Sequence, residues 1–345
     1  MFDRDEKLRV AIVGLGFMGK THMNAYAKAG ADIVALADAR IDDIVAGKTS
    51  GGNLSTGGEA FPLRAGSYRK YTSPGQAFAD QSVEAVSICT PTDTHVDLAC
   101  QALAAGKHVL LEKPVAISSD AVVHLIAKAK LHRRVIMPAM CMRFWPGWTW
   151  LRDTVRVGDL GNLRGITFQR LASPPGWNAD FYKDSSKTGG ALFDLHIHDA
   201  DFVYWLLGMP KAVLSVGDEN HVTTTYQYES GVRITAEGGW DHAPGFPFRM
   251  RYTAVFEQAA ADFDISRDPS LQVTLDGQFT AFDLPSANGY EGEVAHFLAL
   301  VRAHKTESPA GKRVQAVATL EDALQVTRLL EAERESLRRG TLITI

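Results

Sequence analysis

Cysteine is scarce in this chain. Its three residues, Cys89, Cys100 and Cys141, are widely spaced in apolar segments with no CxxC pair. That argues against a disulfide framework or a cysteine-built zinc site and points to reduced core thiols. Excess charge of one sign is also missing. Lys+Arg 36 against Asp+Glu 40 leaves a net charge of -4, so no basic field draws the protein to nucleic acid or anionic lipid. No apolar run approaches the ~18–20 residues of a membrane span. The charged stretch Met1–Lys7 leads into an apolar run too short for a secretory signal. The expectation is a cytoplasmic protein with neither a membrane nor a nucleic-acid partner. The bulk composition is ordinary, and 345 residues suffice for about two domains, each with a core.

The first half alternates two periodicities. Short apolar runs at Val10–Val13, Ile33–Ala37, Val83–Cys89, His108–Leu111 and Val135–Ala139 read as buried strands. Between them lie helical patterns, among them Thr21–Ala29, the face Val96, Ala99, Cys100 and Leu103, and the face Val122, Leu125, Ile126 and Ala129 after Ser118-Ser119. This rhythm predicts a doubly wound parallel sheet with right-handed crossovers, whose ligands sit outside the carboxyl ends of the strands. Six glycines between Gly47 and Ser67 interrupt it and predict an extended loop. The second half reads differently. Strand-like runs at Gly165–Leu171, Ala212–Val216, Val222–Tyr228, Val232–Gly238, Met250–Phe256 and Leu271–Leu275 are separated by turn residues and predict an open, mainly antiparallel sheet. Helices are expected at Trp148–Val157, Asp194–Leu207, Glu293–Lys305 and Leu320–Arg338. The fold class is therefore α/β: an N-terminal doubly wound domain, 1–139, and a C-terminal α+β domain, 140–345.

Gly14-Leu15-Gly16-Phe17-Met18-Gly19 has the form GxGxxG, follows a strand and opens a helix. Asp38 closes the next strand. In that context the first glycine permits a tight turn, the second lets the backbone approach a pyrophosphate, and the third lets helix pack on strand. The helix N-terminus then offers unpaired N–H groups to the phosphates. Asp38 would accept hydrogen bonds from an adenosine ribose and repel a 2′-phosphate, which favours NAD over NADP. Arg40 competes, since it could stack on adenine or recruit that phosphate.

Lys113 ends a strand of the same domain, between Glu112 and Pro114, where a cation could polarise a substrate oxygen. Further on, Gly189-Gly190 precedes Asp194-Leu195-His196-Ile197-His198-Asp199-Ala200-Asp201. At i, i+4 on a helix, Asp194 and His198 would share a face. A carboxylate beside an imidazole fixes its tautomer and makes a general base poised near neutral pH. A metal reading of His196-x-His198 fits less well, because i, i+2 side chains on a helix diverge by roughly 200°. No metal is expected. Arg143, Arg170, Trp177 and Tyr182 lie on segments expected to rim the cleft, as candidates for holding substrate hydroxyls.

Taken together these motifs resemble the Gfo/Idh/MocA family of NAD(P)-dependent oxidoreductases. The resemblance rests on Gly14–Gly19, on Cys89-Thr90-Pro91-Thr92-Asp93-Thr94-His95, on Glu112-Lys113-Pro114, on the Gly-Gly…Asp-x-x-x-His segment, and on Arg143-Phe144 and Gly158–Gly161 at the domain junction. It implies a Rossmann domain, an NAD cofactor held by Gly14, Gly16, Phe17, Met18, Gly19, Asp38, Arg40, Thr90, Pro91, Thr92, His95, Glu112 and Lys113, and a sheet that builds homodimers or homotetramers. It also implies sugar, inositol or related polyol substrates and a catalytic group of Lys113, Asp194 and His198. The expected chemistry is hydride transfer between a secondary alcohol and nicotinamide. The alternatives are a non-redox, NAD-dependent glycoside hydrolase and a non-catalytic NAD-binding protein on the same fold.

Overall fold

The computed structural model describes residues 7–46, 68–176, 179–306 and 314–345. The chain divides into two compact units. One holds Met1–Ala116, Asp120–Met140 and Tyr290–Ala323; the other holds Ile117–Ser119, Cys141–Gly289 and Leu324–Ile345.

In the first unit six strands, β1 (Arg9–Val13), β2 (Asp32–Ala37), β3 (Arg69–Tyr71), β4 (Ala85–Ile88), β5 (His108–Leu111) and β6 (Ile136–Pro138), form a parallel sheet in the order β3-β2-β1-β4-β5-β6. Parallel sheets are covered on both faces, so their central strands are continuous apolar runs rather than alternating ones. Val10–Val13 and Val109–Leu111 accordingly have no exposed surface. The strand order reverses between β1 and β4, which places the ligand crevice at their carboxyl ends. The glycine-rich stretch 47–67 lies outside the described residues; before it Ile41–Val45 makes a short helix. Helix Gly289–Thr306 also serves this unit, with Tyr290, Glu293, Val294, Phe297, Leu298 and Val301 buried at helical spacing. That differs from a continuous domain over 140–345.

The second unit contains β7 (Leu163–Leu171), β8 (Ala212–Asp218), β9 (His221–Gln227), β10 (Arg233–Gly239), β11 (Arg249–Phe256), β12 (Ala259–Asp264), β13 (Leu271–Leu275), β14 (Gln278–Phe282) and β15 (Ile343–Thr344). They form one sheet in the order β14-β13-β12-β11-β7-β10-β9-β8-β15. β7 and β10 run parallel and the other pairings are antiparallel. One face is apolar: Phe168, Tyr252 and Phe263 meet Trp148 and Phe202, from helices Pro146–Val157 and Ile197–Leu207, in edge-on contacts with Trp148 centroids 4.9–6.4 Å away. β3, β12, β14 and β15 were not expected from the sequence. Ala259–Asp264 is alanine-rich and lacks β-branched residues, and Gln278–Phe282 is an edge strand exposed throughout.

Candidate active site

The glycine loop follows β1 at the switch point. Gly14 has φ +84, and a Cβ there would lie 2.6 Å from the Cys89 carbonyl oxygen, so the turn abuts the end of β4. A Cβ on Gly19 would lie 1.9 Å from the Gly14 oxygen. Gly16 is different: its Cβ would meet nothing within 4 Å. It is exposed and forms the N-cap of helix Phe17–Lys28, so the helix begins beside a space that no side chain fills. A Cβ would fill that space, and a pyrophosphate fits it. Phe17 and Met18 are half-buried in the first turn. Asp38, at the end of β2, accepts the Leu15 N–H through Oδ2 at 2.8 Å and the Arg40 N–H through Oδ1 at 2.8 Å. These bonds fix the carboxylate against the loop while leaving further lone pairs for a ribose diol. The Arg40 residue is exposed.

At the end of β4, Thr90 bonds Thr94 through their hydroxyls at 2.7 Å, and Thr94 donates to the Pro91 carbonyl at 2.7 Å. Thr92 is buried and Pro91 exposed. His95, expected at the cofactor, is 1% exposed, and both its ring nitrogens face carbonyls: Nδ1 that of Pro114 and Nε2 that of Thr90, each at 2.8 Å. Its role is corrected to a staple joining the Thr90 loop to the Lys113–Pro114 segment. Burial pushes its pKa down despite those acceptors.

Glu112 is corrected likewise. It is buried, its Oε2 accepts the Lys113 N–H at 3.0 Å, and its Oε1 lies 2.9 Å from Nε2 of His22. His22 has no exposure; its Nδ1 bonds the Ser87 hydroxyl at 2.6 Å and its Nε2 is 3.5 Å from Glu293. Burial works against the imidazolium, but Cys89, Glu112 and Glu293 outweigh it and hold the His22 pKa well above the ordinary value. Burial also resists ionisation of Glu112, yet its contact with His22 and the nearby Lys113 charge keep its pKa low. For Glu293 burial wins and pushes the pKa up to about 7. His22 and Glu293 were missed in the sequence. The available signal was polarity at positions whose helical spacing predicts burial. Lys113 is half-buried just beyond β5.

In the second unit, Gly189 and Gly190 have φ +72 and +68, and a Cβ on Gly190 would lie 2.4 Å from the Glu219 oxygen. The chain then enters a π turn, Leu192–His196, before helix Ile197–Leu207. The plain helix expected from Asp194 is thus corrected: Asp194 lies in the wide turn and His198 beyond it, so α-helical i, i+4 spacing does not set their relative facing. Both are half-buried, and Nδ1 of His198 is 3.9 Å from Sγ of Cys141. His196 is fully buried, with Nε2 2.9 Å from Glu333 and 3.1 Å from the Tyr226 hydroxyl. Its ring therefore serves a different cluster from that of His198.

Arg143 and Arg170, expected on the cleft rim, are 1% and 2% exposed. Arg143 holds Asp201 through Nε and Nη2, the latter at 2.7 Å, and Arg170 holds Asp199 at 2.8–3.0 Å. These are buried bidentate pairs: Arg170 ties the Asp-His helix to β7 and Arg143 ties it to the turn Cys141–Phe144, and this replaces the expected hydroxyl-holding role. Tyr182 is half-buried in a cluster with Ala172, Ala191 and Trp240. Trp177 lies outside the described residues.

Known proteins place the chain in a family and share its fold. Residues 8–140 match the family model for the oxidoreductase family with an NAD-binding Rossmann fold, and residues 148–261 match that family's C-terminal domain. The chain is 25% identical over 338 residues to an inositol 2-dehydrogenase of Rhizobium meliloti, covering 92% of this chain and 95% of that protein. Among solved structures, a levoglucosan dehydrogenase in complex with NADH and levoglucosan superposes with TM-score 0.77 at 20% identity, covering 99% and 100% of the two chains. An aldose-aldose oxidoreductase from Caulobacter crescentus gives TM-score 0.79 at 20% identity, again over 99% and 100%. At such identities the superpositions speak to the fold.

Proposed function

The chain belongs to the Gfo/Idh/MocA family of NAD-binding oxidoreductases, and we propose that it interconverts a secondary alcohol of a sugar, inositol or related polyol with the ketone. The observation that carries this reading is Lys113, half-buried beyond the end of β5, its backbone N–H held by the buried Glu112 in the sheet whose crevice bears the open Gly16 cradle. Bound NAD supplies the hydride acceptor. Lys113 donates a hydrogen bond to the reacting oxygen and stabilises its developing negative charge. His198 accepts the hydroxyl proton, and Asp194 orients the imidazole. Gly16, Gly19 and the helix N–H groups hold the pyrophosphate, and Asp38 the ribose. Among the described residues no helix is long and apolar enough to cross a membrane. Leu214 and Val216, exposed side by side on β8 near the edge of the second sheet, support homo-oligomer formation through it.

The test is a panel of sugars and inositols with NAD, followed by absorbance of the reduced cofactor. Lys113→Met and His198→Ala should each lower kcat by roughly 10²–10⁴-fold with dinucleotide affinity little changed, and Asp194→Asn by less. Near-wild-type turnover in either of the first two removes that residue from the mechanism. Release of free sugar without net NADH would identify a non-redox hydrolase instead, and NAD binding without any turnover a sensor.

A further inference from the structure

Where β9 begins and β10 ends, the second sheet carries a polar cluster that polyol oxidation does not use. His221 pairs across the strands with Gly239. A Cβ on Gly239 would lie 2.6 Å from Cγ of His221, so glycine alone leaves room for the imidazole to lie over β10. Nδ1 of His221 is 2.7 Å from Oδ1 of Asp241, and Nδ1 of His242 is 3.4 Å from the same oxygen. One ligand atom from each of the three residues lies within 4.8 Å of the others.

We propose that His221, Asp241 and His242 bind one divalent ion of the zinc class, through the two Nδ1 atoms and the Asp241 carboxylate. Two borderline nitrogens and one oxygen suit zinc, and three protein ligands leave a fourth, open position. Bonds of about 2.1 Å at tetrahedral angles set ligand atoms ~3.4 Å apart. The Asp241–His242 separation already has that value. The shorter Asp241–His221 contact opens as the proton shared there is released and the ion replaces it.

Two further observations favour a bound ion over a simple His–Asp pair. First, the outer ring nitrogen is already fixed. Nε2 of His221 is 3.1 Å from Oε1 of Glu237, whose Oε2 accepts a hydrogen bond from Nε2 of Gln169 at 2.5 Å; Oε1 of Gln169 accepts one from Nε of Arg251 at 2.5 Å. The Glu237 carboxylate keeps a proton on Nε2, so that once the Nδ1 proton shared with Asp241 is released the Nδ1 lone pair is the one left for the ion, as at metal-bound histidines. Second, an imidazolium bridging Asp241 and Glu237 accounts for His221 but not for His242. Its Nδ1 is buried without a hydrogen-bond partner, and its ring stacks on Phe246 at 4.1 Å. The Asp241 side chain is 54% exposed, so the ion has an entry path. Once bound, it would tie the segment around Trp240, which packs on Tyr182 at 5.6 Å, to β9.

The experiment uses the untagged full chain, stripped with a chelator and titrated with zinc sulfate against a chromophoric competitor, and separately with cobalt chloride by visible absorption. One zinc per chain and the intense cobalt spectrum of a four- or five-coordinate site are expected. Asp241→Asn and His242→Asn should each weaken zinc at least tenfold, and Glu237→Gln by roughly 10–100-fold. No saturable zinc binding, a weak octahedral cobalt spectrum, or binding unchanged in the Asp241→Asn/His242→Asn double variant overturns the assignment. The cobalt spectrum of the unmodified chain decides even if a variant fails to fold. None of these readouts depends on polyol turnover.

Discussion

Nε2 of His22 lies 2.9 Å from Oε1 of Glu112, with the imidazole fully buried. Because the other Glu112 oxygen holds the Lys113 N–H, the pair positions the backbone of the proposed catalytic lysine from beneath. Glu112→Ala releases that clamp and leaves Nε2 of His22 facing Glu293, with Nδ1 still on Ser87. A displaced catalytic group costs up to ~100-fold in rate. The expected result is a kcat roughly 10–100-fold lower in Glu112→Ala with dinucleotide affinity little changed, and partial rescue in Glu112→Gln, whose amide oxygen keeps an acceptor for the Lys113 N–H. Wild-type kcat in the alanine variant would dismiss the clamp.

Two glycines of the loop should separate binding from folding. Gly16 has room for a side chain in the protein but none once a pyrophosphate is bound, so Gly16→Val should fold and fail to bind NAD in calorimetry. Gly19 has no room in any state, with the Gly14 oxygen 1.9 Å from its would-be Cβ. Gly19→Val should lose the cooperative thermal transition of the wild type. A Gly16→Val protein with unchanged NAD affinity would place the cofactor elsewhere.

NAD should be preferred to NADP. A 2′-phosphate against Asp38 brings two anions together at a cost of about 1–3 kcal/mol at intermediate dielectric, roughly ten- to a hundredfold in affinity. The carboxylate is fixed by the Leu15 and Arg40 amides, whereas the exposed Arg40 side chain would have to be ordered to offset it. Comparing kcat/KM for the two dinucleotides should show the preference in the wild type and a narrowed or reversed ratio in Asp38→Ser. A wild-type preference for NADP would mean that Arg40 governs the pocket.

Glu293 makes a pH prediction with a definite sign. Its pKa rises on folding to about 7, so between the ordinary carboxylate range and pH 7 the native state holds a proton that the unfolded state has lost. Its contribution is full below the unfolded pKa and falls away as pH rises through about 7. Glu293→Gln cannot ionise. Denaturant unfolding at stepped pH should show the variant gaining on the wild type from about pH 5 to 7 and running parallel above it. A constant difference across that window would mean that Glu293 is ionised in the native protein throughout.

Much of the fold was legible in the sequence because its signals are local. His108–Leu111 is a short apolar run and Leu271–Leu275 an alternating one, each next to breakers, and the structure keeps their boundaries. The glycine loop was equally legible, since turn, helix start and acidic strand end all lie within Gly14–Asp38. β12 escaped because Ala259–Asp264 becomes a strand only by pairing with β11 and β13.

The candidate site was legible in its residue types and not in their partners. A polar side chain is informative only once its burial and its neighbours are known, and those come from distant parts of the chain. Arg143 and Arg170 look like surface cations until tertiary structure sets them, desolvated, on Asp201 and Asp199. His95 and Glu112 look like cofactor contacts until the fold closes carbonyls around one and His22 around the other. Sequence by itself determined the parallel nucleotide-binding architecture, because helix and strand periodicity and the glycine turn are written within single segments. Which polar groups stay open for chemistry and which are consumed in holding it was decided by tertiary structure alone, because His22 meets Glu293 only when the last third of the chain packs back on the first helix.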